Sequence, residues 1–343
     1  NEAIKDILSE MDSTMLHGYT SAQGDFTVRK TIADYINRTH GTDVDADDIY
    51  MTVGAAASLT ISIKAIAVSG DEFITFTPFF PEYRVFVEAA GAKLVTVASN
   101  EEDFQVDENR FRAAITEKTK AVIINSPNNP SGAVYSAATI EKLAALLEKK
   151  QNEFGTQIFL IADEPYREIV YDGVEVPFVT KYYKNTLVCY SYSKSLSLPG
   201  ERIGWVLVPD EAYESKTLYA AVAGAGRALG YVCASSMFQK VLVKCIGQTG
   251  DVDAYKANRD LLYDGLTKIG YKCFKPQGAF YMFVKALEDS AENFCEKAKE
   301  EDVLIVPATG FGCPGWVRIS YCVDSDMIKR SMPAFERIYN KYK

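Results

Sequence analysis

The chain has 343 residues, 48% of them hydrophobic and 24% charged, with a formal net charge of −9. That balance belongs to a globular protein with a substantial core, and the length suits one large α/β domain with a smaller lobe. The acidic balance and the lack of any basic stripe exclude nucleic acid as an expected partner, and no stretch reaches the roughly 18 apolar residues of a membrane-spanning helix. Seven cysteines lie scattered, mostly in apolar segments, and there are only two histidines. No zinc-type ligand spacing results, and scattered thiols suit a reducing cytoplasm.

From the amino terminus, "NEAIKDILSEMDSTMLHGY" begins inside a helical pattern, as though an N-terminal arm were missing. Strands are then predicted at "IYMTVG", "EFITFTP", "KLVTVAS", "KAVIINSP", "IFLIADEP", "TLVCYSYS" and "IGWVLVP", with helices such as Ala137 to Phe154 between several of them. Unbroken apolar strands alternating with amphipathic helices imply a three-layer α/β/α domain around a largely parallel sheet. After about residue 235 long helices come first, followed by "CFKPQGAFYMFV", "VLIVPA" and "WVRISYCV" and a closing helix, the pattern of a smaller α+β domain. The expected division is a large domain over residues 19–236 and a small one from 1–18 and 237–343.

Several motifs carry chemistry beyond packing. In "MTVGAAASLTISIKAIA" a strand passes through Gly54 into small residues that open a helix. There the backbone N–H groups of Ala55 and Ala56 are free to approach a phosphate, helped by the helix dipole, although any strand–helix turn is rich in such residues. "TPFFPEY" places Phe79 and Phe80 past a strand end, where one ring would stack on a planar ligand or simply pack in the core. "INSPNNPSG" is turn chemistry, with Asn129 left over as a donor. In "IADEPYREIVY", Asp163 ends an apolar strand and needs a cation, such as a protonated pyridine nitrogen, or a helix to cap. Tyr166 follows three residues on, within reach of the same ring.

"SYSKSLSLPGERIGWVLVP" holds Lys194 among serines and Arg202 eight residues later. A desolvated lysine has a lowered pKa and forms Schiff bases with aldehydes; the alternative is a lysine snorkelling from a strand end. Arg202, with Ser191 and Ser193, offers a bidentate grip on a phosphate beside it. "GAGRALG" (224–230) imitates a dinucleotide fingerprint but is too long and follows a helical stretch instead of a strand. In "GWVRISYCV", Arg318 alternates with apolar residues and suits either a substrate carboxylate or an internal ion pair.

These motifs in this order resemble the class I/II aminotransferases, the fold type I pyridoxal-phosphate enzymes, over essentially the whole chain. The resemblance rests above all on the lysine–arginine spacing of "SYSKSLSLPGERIG", with "NNPSG", "DEPY", "KPQGAFYMF", "VPATGFG", "WVRISY" and "YTSAQGDFTVRKTIADY" beside it. It implies pyridoxal 5'-phosphate joined to Lys194, which also shuttles the proton. It further implies Asp163 at the pyridine nitrogen, Tyr166 and Asn129 at the phenolic oxygen and Phe80 against the ring. Ala55, Ala56, Ser191 and Arg202 would hold the phosphate, and Arg318 the substrate α-carboxylate. Tyr19 matches a tyrosine that reaches the neighbouring subunit's phosphate, so the resemblance implies a homodimer with a composite site.

The implied reaction is ping-pong transfer of an amino group from an L-amino acid to a 2-oxo acid, in the cytoplasm, with no metal, membrane or nucleic acid. Arg227 falls near the place where dicarboxylate-specific members present a second arginine, which would give an aspartate preference; a helix-terminal surface arginine is the plainer reading. A carbon–sulfur β-lyase on the same scaffold is the alternative enzyme. A ligand-sensing regulator is the non-enzyme alternative, disfavoured because no winged helix or basic surface is visible.

Overall fold

The computed structural model describes residues 1–343. Three helices come first, α1 (Glu2–Glu10), α2 (Ser13–His17) and α3 (Phe26–His40), followed by β1 (Ile49–Thr52) and α4 (Ala55–Ile66). Next come β2 (Glu72–Thr77), α5 (Glu82–Ala89), β3 (Lys93–Ala98), α6 (Glu108–Ala114), β4 (Thr119–Asn125), α7 (Ala137–Phe154) and β5 (Phe159–Asp163). The sheet closes with β6 (Thr186–Ser191), a single turn α8 (Tyr192–Ser195) and β7 (Gly204–Leu207). All seven predicted strands are present, in the order β1-β7-β6-β5-β4-β2-β3. Pairings from β3 through β6 are parallel, and β7 runs antiparallel to both β6 and β1.

Alternation along each strand sorts the side chains between the two faces. Phe73, Ile123, Ile161, Leu187 and Cys189 pack under α4 with α9 (Ser215–Ala228), whereas Ile74, Phe76, Val122, Ile124, Leu160 and Ala162 pack under α6 and α7. On the second face the β1, β6 and β7 end is covered by Val28, Ile32 and Ile36 of α3. This is the expected α/β/α sandwich. The helices are terminated as their sequences dictate: Ser136 caps α7 by accepting from Thr139 N, and Gly155 at φ +67° ends it in the left-handed region.

The remaining elements are α10 (Ser236–Cys245), α11 (Val252–Ile269), β8 (Cys273–Phe274), β9 (Tyr281–Lys285), α12 (Ala291–Lys299), β10 (Val306–Pro307), β11 (Trp316–Ser320) and α13 (Ser325–Asn340). The four strands form a second sheet in the order β10-β11-β9-β8. The core of this lobe is built from residues between Leu262 and Ile338, joined by Tyr166, Ile169 and Tyr171. Ile7 and Leu16 of α1 and α2 pack on Val241 of α10, and Leu242 of the same helix joins the α3 core, so this group sits against the large domain.

Candidate active site

At the carboxyl ends of β4, β5 and β6 the chain leaves the sheet through Asn125, Asp163 and Ser191, the edge at which open α/β sheets bind ligands. A cleft of about 260 Å³ opens there, with Tyr281 and Arg318 of the smaller lobe forming its far wall. Of the residues singled out in the sequence, Lys194, Asp163, Tyr166, Ala55, Ala56, Phe80, Asn129, Ser191, Arg202 and Arg318 all line it. Tyr19 and Arg227 do not; Tyr19 is 93% exposed, and Arg227 stands exposed in the last turn of α9. Phe79 lies in the core under α4, so of the two phenylalanines only Phe80 faces the cleft.

The floor is the most constrained part. Asp163 and Asn125 are register partners on adjacent parallel strands. Asn125 Nδ2 donates to the Asp163 carbonyl at 2.9 Å and to its Oδ2 at 3.4 Å. The Tyr83 hydroxyl donates to the same Oδ2 at 2.5 Å. Oδ1 is buried and has no partner. Burial pushes the carboxyl up to about 7, and the Tyr83 hydrogen bond works in the opposite direction.

Lys194 was expected at the strand end but belongs to the single turn α8 that follows it, because the chain bends out of the sheet after Ser191. Its Nζ forms no ion pair and lies 5.3 Å from the Phe280 ring centre and 5.9 Å from that of Tyr166. Burial lowers its pKa, and the nearby Arg202 and Arg318 lower it further, against Cys322. An amine so placed is more nearly a free base than a surface lysine.

Arg202 holds a left-handed backbone, φ +53°, and Nη1 donates to the Pro199 carbonyl at 3.0 Å. Its fork lies against Gly54, the residue before α4, whose φ is +94°. A Cβ on Gly54 would stand 2.9 Å from Arg202 Nη2 and push the fork aside, and the backbone conformation itself favours glycine there. The first amides of α4 have no intrahelical acceptor and share this corner with Arg202 and Ser191, a cradle suited to an anion.

Arg318 Nη1 donates to Asn129 Oδ1 at 3.0 Å, and the guanidinium lies 4.5 Å from the Tyr281 ring centre and 5.0 Å from that of Phe311. Its Nε is buried and unpartnered. The fork is thus fixed by stacking with hydrogen-bonding capacity to spare, the arrangement that grips a carboxylate. The internal ion pair considered for Arg318 does not form. Tyr166 is buried, with its hydroxyl 3.3 Å from that of Tyr281.

Sequence reading missed three members of this site, Tyr83, Asn125 and Tyr281, whereas Ser193, named beside Ser191, does line the cleft. Asn125 had a signal, being an amide that ends an apolar strand as Asp163 does on its neighbour. Tyr83 follows Phe80 by three residues, which would have placed both rings on one side of a helical turn. Tyr281 gave no signal separable from core packing. "GAGRALG" proves to be the C-terminal part of α9 and its exit, with no phosphate-loop geometry.

The geometry has close relatives. The family model "Aminotransferase class I and II" matches residues 1–335. An aspartate/prephenate aminotransferase of Thermus thermophilus is 31% identical over 330 residues, covering 94% of this chain and 83% of that protein. The crystal structure of an amino transferase from Eubacterium rectale superposes with a TM-score of 0.99 at 69% identity, covering all of this chain and 86% of that one. A Thermus thermophilus aspartate aminotransferase structure with maleate superposes at 0.87 with 29% identity, covering 98% and 87%.

Proposed function

Because the chain belongs to the class I and II aminotransferases, we propose that its cleft holds pyridoxal phosphate and turns over a dicarboxylic amino acid such as aspartate. The protein is a transaminase, moving an amino group from an amino acid to a 2-oxo acid. Its family uses pyridoxal phosphate. The observation that carries this cofactor for the present chain is Asp163, whose buried Oδ1 lacks a partner at the bottom of the cleft. A buried carboxylate oxygen left in that state is costly, and a protonated ring nitrogen would complete it. The glycine-lined corner beside Arg202 fits a phosphate equally well.

In this reading Ala55, Ala56, Ser191 and Arg202 would hold the phosphate, Asn129 and Tyr166 the phenolic oxygen, and Phe80 one face of the ring. Bound there, the cofactor supplies an electron sink that acidifies the substrate's α-hydrogen. The protein's own groups do the rest. Arg318, held between Tyr281 and Phe311, binds the α-carboxylate and fixes the orientation of the bond to be broken. Nζ of Lys194, its pKa depressed by burial, takes the α-proton and redelivers it. Asp163 keeps a proton on the ring nitrogen.

Relatives named for aspartate, and the dicarboxylate maleate in the Thermus structure, support an acidic substrate. Arg227 and Tyr19, exposed and outside the cleft, would act on the site of a second copy, which makes the functional unit a homodimer. Seven free thiols support a reducing, cytoplasmic setting, and no helix is long and apolar enough to cross a membrane. The β-lyase alternative is not favoured by relatives named as aminotransferases.

The test is an absorbance spectrum of the purified protein before and after L-aspartate, with no oxo acid added. The visible band of the bound cofactor is expected to fall as a near-ultraviolet band rises, with oxaloacetate released. Bleaching by another amino acid but not by aspartate would remove the substrate assignment alone. Failure to take up pyridoxal phosphate would overturn the cofactor reading.

A further inference from the structure

We propose that Tyr83 is a positioning residue of the reaction: by donating its hydroxyl proton to Asp163 Oδ2 it aims Oδ1 into the cleft and makes Asp163 the weaker base toward whatever nitrogen binds there. The inference rests on the functional reading above and adds a residue that neither the motifs nor the cleft lining reveals.

Tyr83 sits in the first turn of α5, fully buried in the core under α4, and it does not line the cleft. Its ring packs edge-on against Phe80 at 5.7 Å between centres. The same turn thus supplies one wall of the cleft through Phe80 and reaches beneath the floor through the Tyr83 hydroxyl. That hydroxyl touches Asp163 at 2.5 Å, and Asn125 secures the Asp163 carbonyl and, more weakly, the same Oδ2. Of the two carboxylate oxygens one is therefore committed to the protein, and the unpartnered one is left for the ligand.

The direction of proton sharing follows. Burial raises the Tyr83 pKa well above a phenol's ordinary value, so the proton stays on Tyr83 and Oδ2 accepts it. A carboxylate that accepts such a bond holds a further proton less tightly. A proton shared between Oδ1 and a bound ring nitrogen is thereby biased toward the nitrogen, which an electron sink requires. The other titratable groups around this carboxyl do not supply the bias. Glu164 opposes it and is itself tied to Arg167 by a two-point ion pair. Cys189 and Tyr166 are buried with pKa values raised by that burial. Lys194, Arg202 and Arg318 face the cleft beyond it.

Two readouts on the full-length chain test this. In cofactor-free protein labelled with carbon-13 aspartate, infrared titration follows the Asp163 carboxyl, identified by its loss in Asp163→Asn. Tyr83→Phe should raise its midpoint by about one unit. Replacing Tyr83 with the more acidic 2,3-difluorotyrosine, a near-isosteric change, should lower it. With nitrogen-15 pyridoxal phosphate bound, Tyr83→Phe should move the ring-nitrogen resonance toward the unprotonated position. An unchanged midpoint in both variants, or a shift of the same sign in both, would overturn the proposal. If Tyr83→Phe does not fold, the fluorinated protein decides. Should wild type bind no pyridoxal phosphate, the functional reading falls, while the carboxyl titration still reports on the Tyr83–Asp163 pair.

Discussion

The floor of the cleft and an exposed edge of the molecule outside it use similar polar residues in opposite ways. At the floor, Asp163, Asn125 and Tyr83 are 3%, 4% and 0% exposed, and Asp163 is held by the other two. At the edge, Tyr19 is 93% exposed and Arg227 stands in solvent without an ion pair. The floor's geometry is complete once a single chain has folded. In the proposed homodimer the edge residues would gain a role by reaching the cleft of the second copy. Substitutions at the floor should therefore change chemistry and pH behaviour, and substitutions at the edge should change substrate preference and cofactor retention.

The largest effect is expected at Lys194. Lys194→Ala should lower kcat/KM for amino transfer by about 10⁴-fold or more, the upper range for removing a positioned proton-transfer group. Steady-state kinetics checks this, and a loss below tenfold would mean the α-proton moves elsewhere. Because the folded pKa of this lysine lies below its unfolded value, its charge destabilises the folded protein at neutral pH, and that cost fades as pH rises through the unfolded value. Lys194→Met should therefore raise the melting temperature of the cofactor-free protein at pH 7 while abolishing turnover.

Asp163→Asn follows, with an expected loss of about 10³-fold in kcat, because in the proposed site the amide would no longer keep a proton on the ring nitrogen. Its effect on stability has the opposite sign. Burial pushes the folded carboxyl up to about 7, above the ordinary 3.8 of an aspartate, so the native state holds the proton more tightly than the unfolded chain. That contribution is fully present below the unfolded value and is lost as pH rises through the folded one. Cofactor-free Asp163→Asn should thus be more stable than wild type at pH 8, by roughly 2–4 kcal/mol, with the gap closing toward pH 4. Thermal melts across that range settle the sign.

A smaller effect is expected at the proposed phosphate corner beside Arg202. Gly54→Ala would force a Cβ to 2.9 Å from Arg202 Nη2 at a φ of +94°. The strain should cost about 1–2 kcal/mol of stability, and displacement of Arg202 should weaken pyridoxal-phosphate binding by about tenfold. Equilibrium dialysis of the cofactor separates the two effects.

How much of this was legible in the sequence follows the same division. Seven apolar strands and the helices between them were readable because each element repeats one period, two residues in strands and three to four in helices. Asp163, Asn125 and Ser191 end strands, so the sheet places them together whatever the loops do, and two of the three could be named from the sequence. Tyr83 and Tyr281 escaped because a buried tyrosine looks the same in a sequence whether its hydroxyl serves the core or the site. What covers residues 1–18 was not legible for another reason. Amphipathic helices announce that they have an apolar face, but not which neighbour covers it, and here α10 does.

The smallest expected effect tests the edge. Arg227 follows Gly226, which sits so close to Tyr50 that an added Cβ would meet its hydroxyl oxygen at less than van der Waals distance. Tyr50 thus fixes the end of α9, and the next residue, exposed and in no ion pair, projects from a defined place. An exposed arginine with no partner contributes little to folding, so Arg227→Ala should leave the melting temperature nearly unchanged. If Arg227 meets the distal carboxylate in a partner's cleft, the variant should lose about tenfold in kcat/KM for aspartate and nothing for alanine, a difference of one charge-assisted hydrogen bond. Kinetics with both amino acids at the same pH reads the ratio directly. An unchanged ratio would confine acidic-substrate recognition to the cleft's own walls, and the contrast between a floor set by one chain and an edge completed by two would then rest on Tyr19 alone.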